Sequence, residues 1–507
     1  MAENTMEEEV STSDLITHLT LLSLEEKEEE PITNSQLLSS PIFTEQVRTS
    51  GKFNQYGLLG GQSTRYNPTV KDASQDPRIF YNVSAPSSVF ICGSQGSGKS
   101  HTLSCILENC LLPCEANVLP NPLTGLVLHF DAFVSEVGGS PCEAAYLSSN
   151  PGVRVRVLCP PTNMARIKDI YKKLPNLTVE ALQLDERDLN TKRMLDLMAI
   201  SSIQGGGMPL YLHVVTRILR DLRIEQQQTG GTFNYAKFRS RIENEDMTPG
   251  QMAPLQQRLD TLQSFMVKEQ VSVNSLRRNK ATTTTKRGIN WEPKAGQLTI
   301  IDLSCPCVTA DAACALFNIC VSLFLEQPSE GIGRVIALDE AHRYMNQSEE
   351  SASSSLTETL LTSIRVQRHI GTRVIISTQE PTISPKLLDL CSVTIVHRFS
   401  SPDWFRVLKR HLATEEDDDN YKFGIAQTEG GTIDLFCKIL ALRQGEALLF
   451  APNAIVAVPV IANGSSHAEE TVGKRVDPKL AMLGSRTMNM RVRKRVTDDG
   501  GRTVMAP

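Results

Sequence analysis

Eight consecutive residues have the types and spacing that surround a phosphate chain. Residues 93–100 read G-S-Q-G-S-G-K-S; they follow the apolar segment Ser88–Cys92 and precede residues 101–110, which have apolar side chains at helical spacing. Strand, glycine loop and helix in this order are typical of a nucleoside triphosphate site, because glycines let backbone N–H groups approach a phosphate and the helix directs its positive end at the same anion. The alternative, a chance glycine-rich turn, is disfavoured by these flanks.

Residues of this loop have distinct expected roles. We expect Lys99 to reach the β- and γ-phosphates and the Ser100 hydroxyl to ligate Mg²⁺, so ATP and Mg²⁺ are the predicted cofactors. The residues predicted to bind the nucleotide are Gly93, Ser94, Gln95, Gly96, Ser97, Gly98, Lys99, Ser100 and His101.

An acidic pair follows a second apolar strand candidate. Arg334–Leu338 is followed directly by Asp339 and Glu340. At a strand end, Asp339 is expected to hold Mg²⁺ and Glu340 to polarise an attacking water, a pairing typical of hydrolysis rather than of a nucleotide kinase. The alternative is an acidic pair that only caps the next helix.

Two further polar residues are candidates for catalysis. Gln379 ends a third strand candidate, and a parallel sheet presents its ligand at the carboxyl ends of its strands, so we expect Gln379 beside Glu340 and the γ-phosphate. Arg368 follows the helix after Glu340 and is expected to act as a finger in a neighbouring subunit's site, with Arg398 as the second candidate. A loop-capping amide and a solvated arginine are the respective alternatives.

As an ordered set, these motifs resemble those of the HerA/FtsK superfamily of ring-forming, DNA-pumping ATPases. Residues 93–100 match its Walker A motif and residues 335–340 its Walker B motif. Residues 367–371 match its glycine-arginine-basic-x-glycine segment, with Gln367 in place of the first glycine. Gln379, which precedes Glu380-Pro381, matches its strand-end glutamine.

The resemblance covers about residues 86–462. It implies an ATP-hydrolysing core that assembles as a hexameric homo-oligomeric ring and moves double-stranded DNA. Two departures concern DNA loading and partner docking rather than hydrolysis. HerA proteins usually begin with a small β-barrel, for which residues 51–86 are too few, and Asp131 is followed by Ala-Phe where the family has Gly-Glu.

The whole chain predicts an α/β fold, a RecA-like P-loop NTPase with a mainly parallel sheet. Short apolar runs alternate with helical segments over residues 86–465, and a helical insertion is expected at about residues 161–295. Residues 51–85 are expected to be a short lead-in segment. The predicted strands cover residues 89–92, 126–130, 153–158, 298–303, 335–338, 374–377 and 393–396.

The two ends carry opposite charge. Residues 1–50 contain eleven acidic and two basic residues, and residues 474–507 contain nine basic and three acidic ones. Polar, charged ends of this kind predict disordered tails over residues 1–50 and 466–507. The basic runs at residues 277–287 and 491–495 are candidates for contacts with DNA phosphates.

Composition favours a soluble, intracellular protein of the cytoplasm or nucleus. A hydrophobic content of 40% and a charged content of 21% are ordinary for such a protein. The acidic start is no secretory signal, and the longest apolar run is too short to span a bilayer, so no membrane partner is expected. The pairs Cys110/Cys114 and Cys305/Cys307 lack further ligands at the right spacing, so neither pair is expected to hold a metal.

The sequence is consistent with two functions. The first is an ATP-driven DNA translocase or helicase ring. The second is an ATPase switch or assembly factor that remodels a protein partner, favoured by the acidic N-terminal segment and the missing barrel. A superfamily 2 helicase is suggested by residues 339–342 and by Gln367-Arg368. It is excluded because such helicases carry the Gln-Arg motif on a second motor domain far downstream, whereas fewer than thirty residues separate the two motifs here.

Overall fold

All strands in the described part of the chain join one mixed sheet. The structure is a computed structural model that describes residues 32–63, 76–132, 139–198, 210–271, 288–328, 331–345, 352–380, 383–412, 435–457 and 480–500. The strands are β1 (Ile42–Thr44), β2 (Tyr56–Gln62), β3 (Arg78–Asn82), β4 (Ser88–Cys92), β5 (Asn117–Val118), β6 (Thr124–His129), β7 (Arg154–Cys159), β8 (Leu177–Ala181), β9 (Gln297–Asp302), β10 (Arg334–Leu338), β11 (Thr372–Thr378), β12 (Val393–His397), β13 (Glu446–Phe450), β14 (Ile455–Ala457), β15 (Ala481–Met482) and β16 (Met488–Val492).

Helices cover the sheet and fill the insertion. The α-helices are α1 (Ile32–Ser39), α2 (Glu45–Ser50), α3 (Lys99–Leu111), α4 (Met164–Tyr171), α5 (Thr191–Met198), α6 (Leu210–Thr229), α7 (Tyr235–Glu243), α8 (Pro249–Ser264), α9 (Lys268–Val271), α10 (Ala310–Glu326), α11 (Ala352–Arg365), α12 (Gln367–Ile370), α13 (Pro385–Leu390), α14 (Pro402–His411) and α15 (Leu435–Ala441). Short 3₁₀ helices include Glu143–Ser149 and Ala341–Arg343.

The centre of the sheet is parallel, as the sequence predicts. The strand order is β12-β4-β11-β10-β6-β9-β7-β8, and each neighbouring pair is parallel. Val89 and Ile91 of β4 pack into one hydrophobic core and Phe90 and Cys92 into another, so both faces of this strand are covered. Burial on both faces explains why these strands are continuous apolar runs rather than alternating ones. The α/β, RecA-like prediction is confirmed.

Strands also form outside residues 86–465, the range predicted for the core. Strand β1 pairs with β3 and β14, and β16 lies between β2 and β13, so both ends of the chain extend the sheet. Phe43, Val47 and Met490 are fully buried. These short strands carry weak periodicity of their own. They are buried through pairing with strands elsewhere in the chain, some of them hundreds of positions away, which local composition does not reveal.

The helical insertion is present, with a later start than residue 161. Strand β8 continues the parallel sheet beside β7 before the helices α5 to α9 begin. Their buried leucines, such as Leu219 and Leu259, join the core on one face of the sheet. In the described residues no helix is both long and apolar enough to cross a bilayer.

Candidate nucleotide site

Parallel strands bring the predicted residues to one edge of the sheet. Strands β4, β11 and β10 are neighbours whose registers pair Cys92 with Thr378 and Leu338 with Ile376. Gly93, Asp339 and Gln379 each follow one of these strand ends. The glycine loop and the acidic pair therefore lie side by side, with the end of β11 between them.

The loop between β4 and α3 has a backbone that only glycine can supply. Gly93 has φ of 153°, and a Cβ there would lie 2.7 Å from the Cβ of His397. Gly98 has φ of 115° and is the N-cap residue of α3. The strand, loop and helix thus have the order and backbone geometry that residues 93–100 predict.

The loop borders a cavity of about 400 Å³. Lys99 lies in its wall, 4% exposed, and its Nζ donates a hydrogen bond to the Ser94 carbonyl at 3.0 Å. Burial lowers the pKa of Lys99, and the carboxylates of Glu340 and Asp339 oppose that effect. Of the predicted binding set, the cavity is lined by Gln95, Gly96, Gly98, Lys99, Ser100 and His101.

Asp339 is held through one of its two carboxylate oxygens. Oδ2 lies 3.2 Å from Nδ1 of His129 and 3.8 Å from the Cys142 Sγ. Oδ1 is buried and has no hydrogen-bond partner among the described residues. A buried, orphaned carboxylate oxygen beside the loop fits a Mg²⁺ ligand set of Asp339 and Ser100, by direct contact or through water.

Glu340 adopts an uncommon backbone conformation that turns the chain directly after β10. Its φ of 49° and ψ of 48° are left-handed, a region that costs non-glycine residues free energy. Its Oε2 lies 3.3 Å from Nδ1 of His342, yet that nitrogen accepts the Gln379 backbone N–H at 3.4 Å. Oε2 consequently makes no hydrogen bond within the described residues, although it is buried.

His342 links the two strand ends. Burial lowers the pKa of His342, with Glu340 opposing, so the ring is neutral at pH 7 and Nδ1 accepts from Gln379. Glu340 also lines the nucleotide cavity. Nδ1 of His342 therefore lies between the Gln379 backbone N–H and the Glu340 carboxylate.

The two candidate arginines lie at opposite edges of the sheet. Arg368 is in α12, before β11 starts, and is exposed on the edge away from the loop. The carbonyl of Arg398 instead accepts hydrogen bonds from the Ser94 N–H and hydroxyl, both at 2.9 Å. Arg398 therefore lies beside its own chain's loop, and Arg368 faces away from it.

A segment that sequence reasoning missed packs against the loop helix. Residues 493–499, which we call the C-terminal strap, contact α3: His101 Nε2 lies 2.8 Å from the Arg493 carbonyl, and His101 Nδ1 lies 3.4 Å from Oδ2 of Asp499. Asp499 also lines the cavity, as does Glu143. The strap therefore forms part of the cavity wall beside His101.

The strap is anchored by a buried ion-pair network. Glu108 of α3 is fully buried and pairs with Arg493 at 2.7 Å, and Arg495 pairs with Glu143 at 2.6 Å. Glu108 also accepts from the Thr497 hydroxyl at 2.6 Å. Two arginines of the run 491–495, predicted to contact DNA, are thus used inside the protein; the other predicted run, 277–287, lies outside the described residues.

A sequence pattern could have identified some of the residues near the cavity that were not predicted. His129 is a polar residue at the carboxyl end of β6, the same criterion that identified Gln379. Asp131, two residues later, forms an ion pair with Arg343 instead of facing the cavity. Cys142, Glu143 and Asp499 lie outside any strand pattern, and only the folded chain brings them here.

Comparison with known proteins identifies structural neighbours alone. No protein-family model and no curated protein matches the chain. VirB4 of Thermoanaerobacter pseudethanolicus matches over 87% of this chain and 96% of its own, with 9% identity and a TM-score of 0.40. The pCW3 conjugation coupling protein TcpA, solved with ATPγS, matches over 87% and 66%, with 10% identity and a TM-score of 0.28.

A viral protein also matches over a shorter range. The genome packaging NTPase B204 from Sulfolobus turreted icosahedral virus 2, in complex with ATP-γ-S, matches over 31% of this chain and 63% of its own, with 14% identity and a TM-score of 0.22. All three likenesses have identities of 14% or less and TM-scores of 0.40 or less. At such identities and scores they carry no argument about chemistry, which rests on the residues of the site.

Proposed function

We propose that this chain hydrolyses ATP as a motor of the HerA/FtsK type, acting as a ring on double-stranded DNA. The observation that carries the hydrolysis proposal is a pair of buried carboxylate oxygens, Asp339 Oδ1 and Glu340 Oε2, that lack hydrogen bonds within the described chain. Leaving such atoms unsatisfied costs free energy. A metal-bound triphosphate and an attacking water would give both atoms partners.

The binding step uses the loop and its helix. Backbone N–H groups of residues 93–100 and the Lys99 ammonium would neutralise the phosphates, and Lys99 would leave the Ser94 carbonyl to do so. Ser100 and Asp339 would hold Mg²⁺, which supplies charge neutralisation of the β- and γ-phosphate oxygens.

The hydrolytic step uses Glu340. Its unpartnered Oε2 would accept the proton of a water that attacks the γ-phosphorus, while the neutral His342 ring keeps the ends of β10 and β11 together. Gln379, at the end of β11, is the candidate to sense the γ-phosphate or place the water.

The ring proposal rests on Arg368. It precedes β11, whose seven residues span about 20 Å to the edge where the loop lies. Arg368 cannot contribute to its own site over that distance, so a catalytic role requires a second copy of the chain.

A second candidate function is an ATPase switch that remodels a protein partner. The internal use of Arg493 and Arg495 favours it, because these residues are withdrawn from any contact with DNA phosphates. Both candidates use the same hydrolytic site and differ in what stimulates it.

ATP hydrolysis measured with and without duplex DNA, at low and moderate salt, separates the two. A motor gives a rate that DNA stimulates and that salt suppresses, because phosphate contacts release counterions. A rate indifferent to DNA at both salt concentrations contradicts the DNA motor and leaves the switch. The Lys99→Ala variant, which should show no turnover, controls for contaminating ATPases.

A further inference from the structure

Three side chains with nitrogen, sulfur and oxygen donors meet beside the nucleotide site. We propose that His129, Cys142 and Asp339 form a binding site for a transition-metal dication of the zinc class. Only its consequence for ATP hydrolysis rests on the function proposed above.

The spacing of the donor atoms fits a small tetrahedral ion. Asp339 Oδ2 lies 3.2 Å from His129 Nδ1 and 3.8 Å from Cys142 Sγ, and the three donors all lie within 4.8 Å of one another. In a tetrahedral zinc site with bonds of about 2.0–2.3 Å, neighbouring ligand atoms are separated by about 3.3–3.6 Å. Small side-chain movements therefore suffice to place all three around one ion.

The donor set selects the class of metal. Imidazole and thiolate ligands favour zinc and related transition metals, whereas Mg²⁺ prefers oxygen ligands alone. Three protein ligands leave a fourth position for water. The site is thus chemically distinct from the proposed Mg²⁺ site, although the two share the carboxylate of Asp339 through different oxygens.

Rigid elements hold these ligands in place. His129 ends β6, Asp339 follows β10, and Cys142 is the N-cap residue of the 3₁₀ helix Glu143–Ser149. The Cys142 backbone N–H donates to the Tyr171 hydroxyl at 3.0 Å, and that hydroxyl donates to Asp302 at 2.7 Å. Tyr171 and Asp302 are both about 1% exposed, so Cys142 is fixed by a buried outer shell.

Metal binding at this site would oppose hydrolysis. As the ion binds, the Cys142 thiol proton and the Nδ1 proton that His129 donates to Asp339 both leave to solvent. Asp339 Oδ2 then becomes a ligand of the incoming ion. The carboxylate then shares its charge with a second cation and holds Mg²⁺ less tightly. Zn²⁺ should therefore lower the ATP hydrolysis rate at constant Mg²⁺, and a chelator should restore it.

Titration of the full-length chain with Co²⁺ alone tests the site without reference to activity. One equivalent should produce a thiolate-to-cobalt charge-transfer band in the near ultraviolet, which Zn²⁺ displaces. Cys142→Ser and His129→Gln should each lose the band, whereas Cys307→Ser, which removes an exposed thiol elsewhere, should keep it. Tyr171→Phe should weaken binding by about 10-fold through the outer shell.

The outcomes separate this site from the proposed function. Absence of the band in the unmodified chain, or its persistence in Cys142→Ser, overturns the metal site whatever the ATPase rate. Thermal unfolding of each variant without metal identifies misfolding, and stabilisation of the unmodified chain by Zn²⁺ gives a second readout of the same binding. A normal cobalt band in a chain that never hydrolyses ATP overturns the proposed function alone.

Discussion

At the residue scale, a buried histidine contacts the helix that follows the glycine loop. His397 is fully buried; its Nδ1 lies 2.9 Å from the Glu446 carbonyl, and its Nε2 lies 2.9 Å from the Thr102 hydroxyl of the loop helix. Burial lowers the pKa of His397 to about 4. The neutral ring is therefore part of the folded state.

This histidine predicts an acid-dependent loss of stability. Its pKa is lower in the folded than in the unfolded chain, where it is about 6.5, so its contribution is present above pH 6.5 and is lost as pH falls towards 4. Between pH 7 and pH 5 the loss is about 2 kcal/mol. Urea unfolding at pH 7 and pH 5 should show a smaller drop in the free energy of unfolding for His397→Gln than for the unmodified chain. A variant of the exposed His369 should show the same drop as the unmodified chain. Equal drops in the unmodified chain and in both variants would show that His397 does not cause this pH dependence.

Glu340 illustrates backbone strain at a proposed catalytic position. Among described non-glycine residues, only Glu340 and Asn176 have positive φ, at 49° and 52°. Asparagine tolerates this conformation better than glutamate does. The strain therefore lies at the residue that we propose activates water.

Glycine in place of Glu340 should increase the stability of the chain and remove its ATP hydrolysis. Glu340→Gly should raise the free energy of unfolding by about 1 kcal/mol and abolish ATP hydrolysis. Asn176→Gly, the matched control, should give a smaller stability change and unaltered hydrolysis. Denaturant unfolding and phosphate release measure both effects, and a destabilised Glu340→Gly chain would show that the conformation is not strained.

At the element scale, the C-terminal strap depends on charge pairs inside the protein. Glu108 and Arg493 are both buried and lie in segments almost 400 positions apart in sequence. Breaking a buried pair leaves an uncompensated charge, whereas an exposed pair contributes little.

Removing one partner should therefore be costly. Glu108→Gln should lower the free energy of unfolding by about 3–5 kcal/mol. Asp403→Asn, which breaks the exposed pair between Asp403 and Arg406, should change it by less than about 0.5 kcal/mol. Similar values for the two variants would mean that the strap is not anchored as described.

The sequence predicts those elements whose identifying residues are adjacent in the chain. The buried parallel strands are continuous apolar runs, and residues 93–100 and 339–340 carry their chemistry in adjacent positions. Strand β8, by contrast, reads Leu-Thr-Val-Glu-Ala and is half-buried at the sheet edge, so no apolar run marks it. Arg493 and Arg495 read as a solvated basic tail because their partner, Glu108, lies far away in the chain.

At the scale of the whole molecule, the proposal requires more than one chain. Arg368 lies at the edge of the sheet opposite its own nucleotide site, so it would complete the site of a neighbour. Arginine fingers of this kind contribute about 10³–10⁵ in rate.

Mixing inactive variants tests this arrangement. Arg368→Ala and Lys99→Ala should each be inactive alone, because one lacks the finger and the other the phosphate-binding lysine. Mixed, they should regain part of the hydrolysis, since a Lys99→Ala chain supplies Arg368 to the intact loop of its neighbour. Arg406→Ala, at an exposed surface position, should remain active unmixed. A mixture as inactive as its components would contradict the shared site.

The role proposed for Glu340, activation of water at the site bounded by the glycine loop, can be measured directly. The direct measurement is retention and turnover of radiolabelled ATP by the unmodified chain, Glu340→Gln and Lys99→Ala under the same Mg²⁺ concentration. We expect Glu340→Gln to retain ATP but to hydrolyse it about 10²–10⁴-fold more slowly, and Lys99→Ala neither to retain nor to hydrolyse it. Hydrolysis by Glu340→Gln at the unmodified rate would contradict this role.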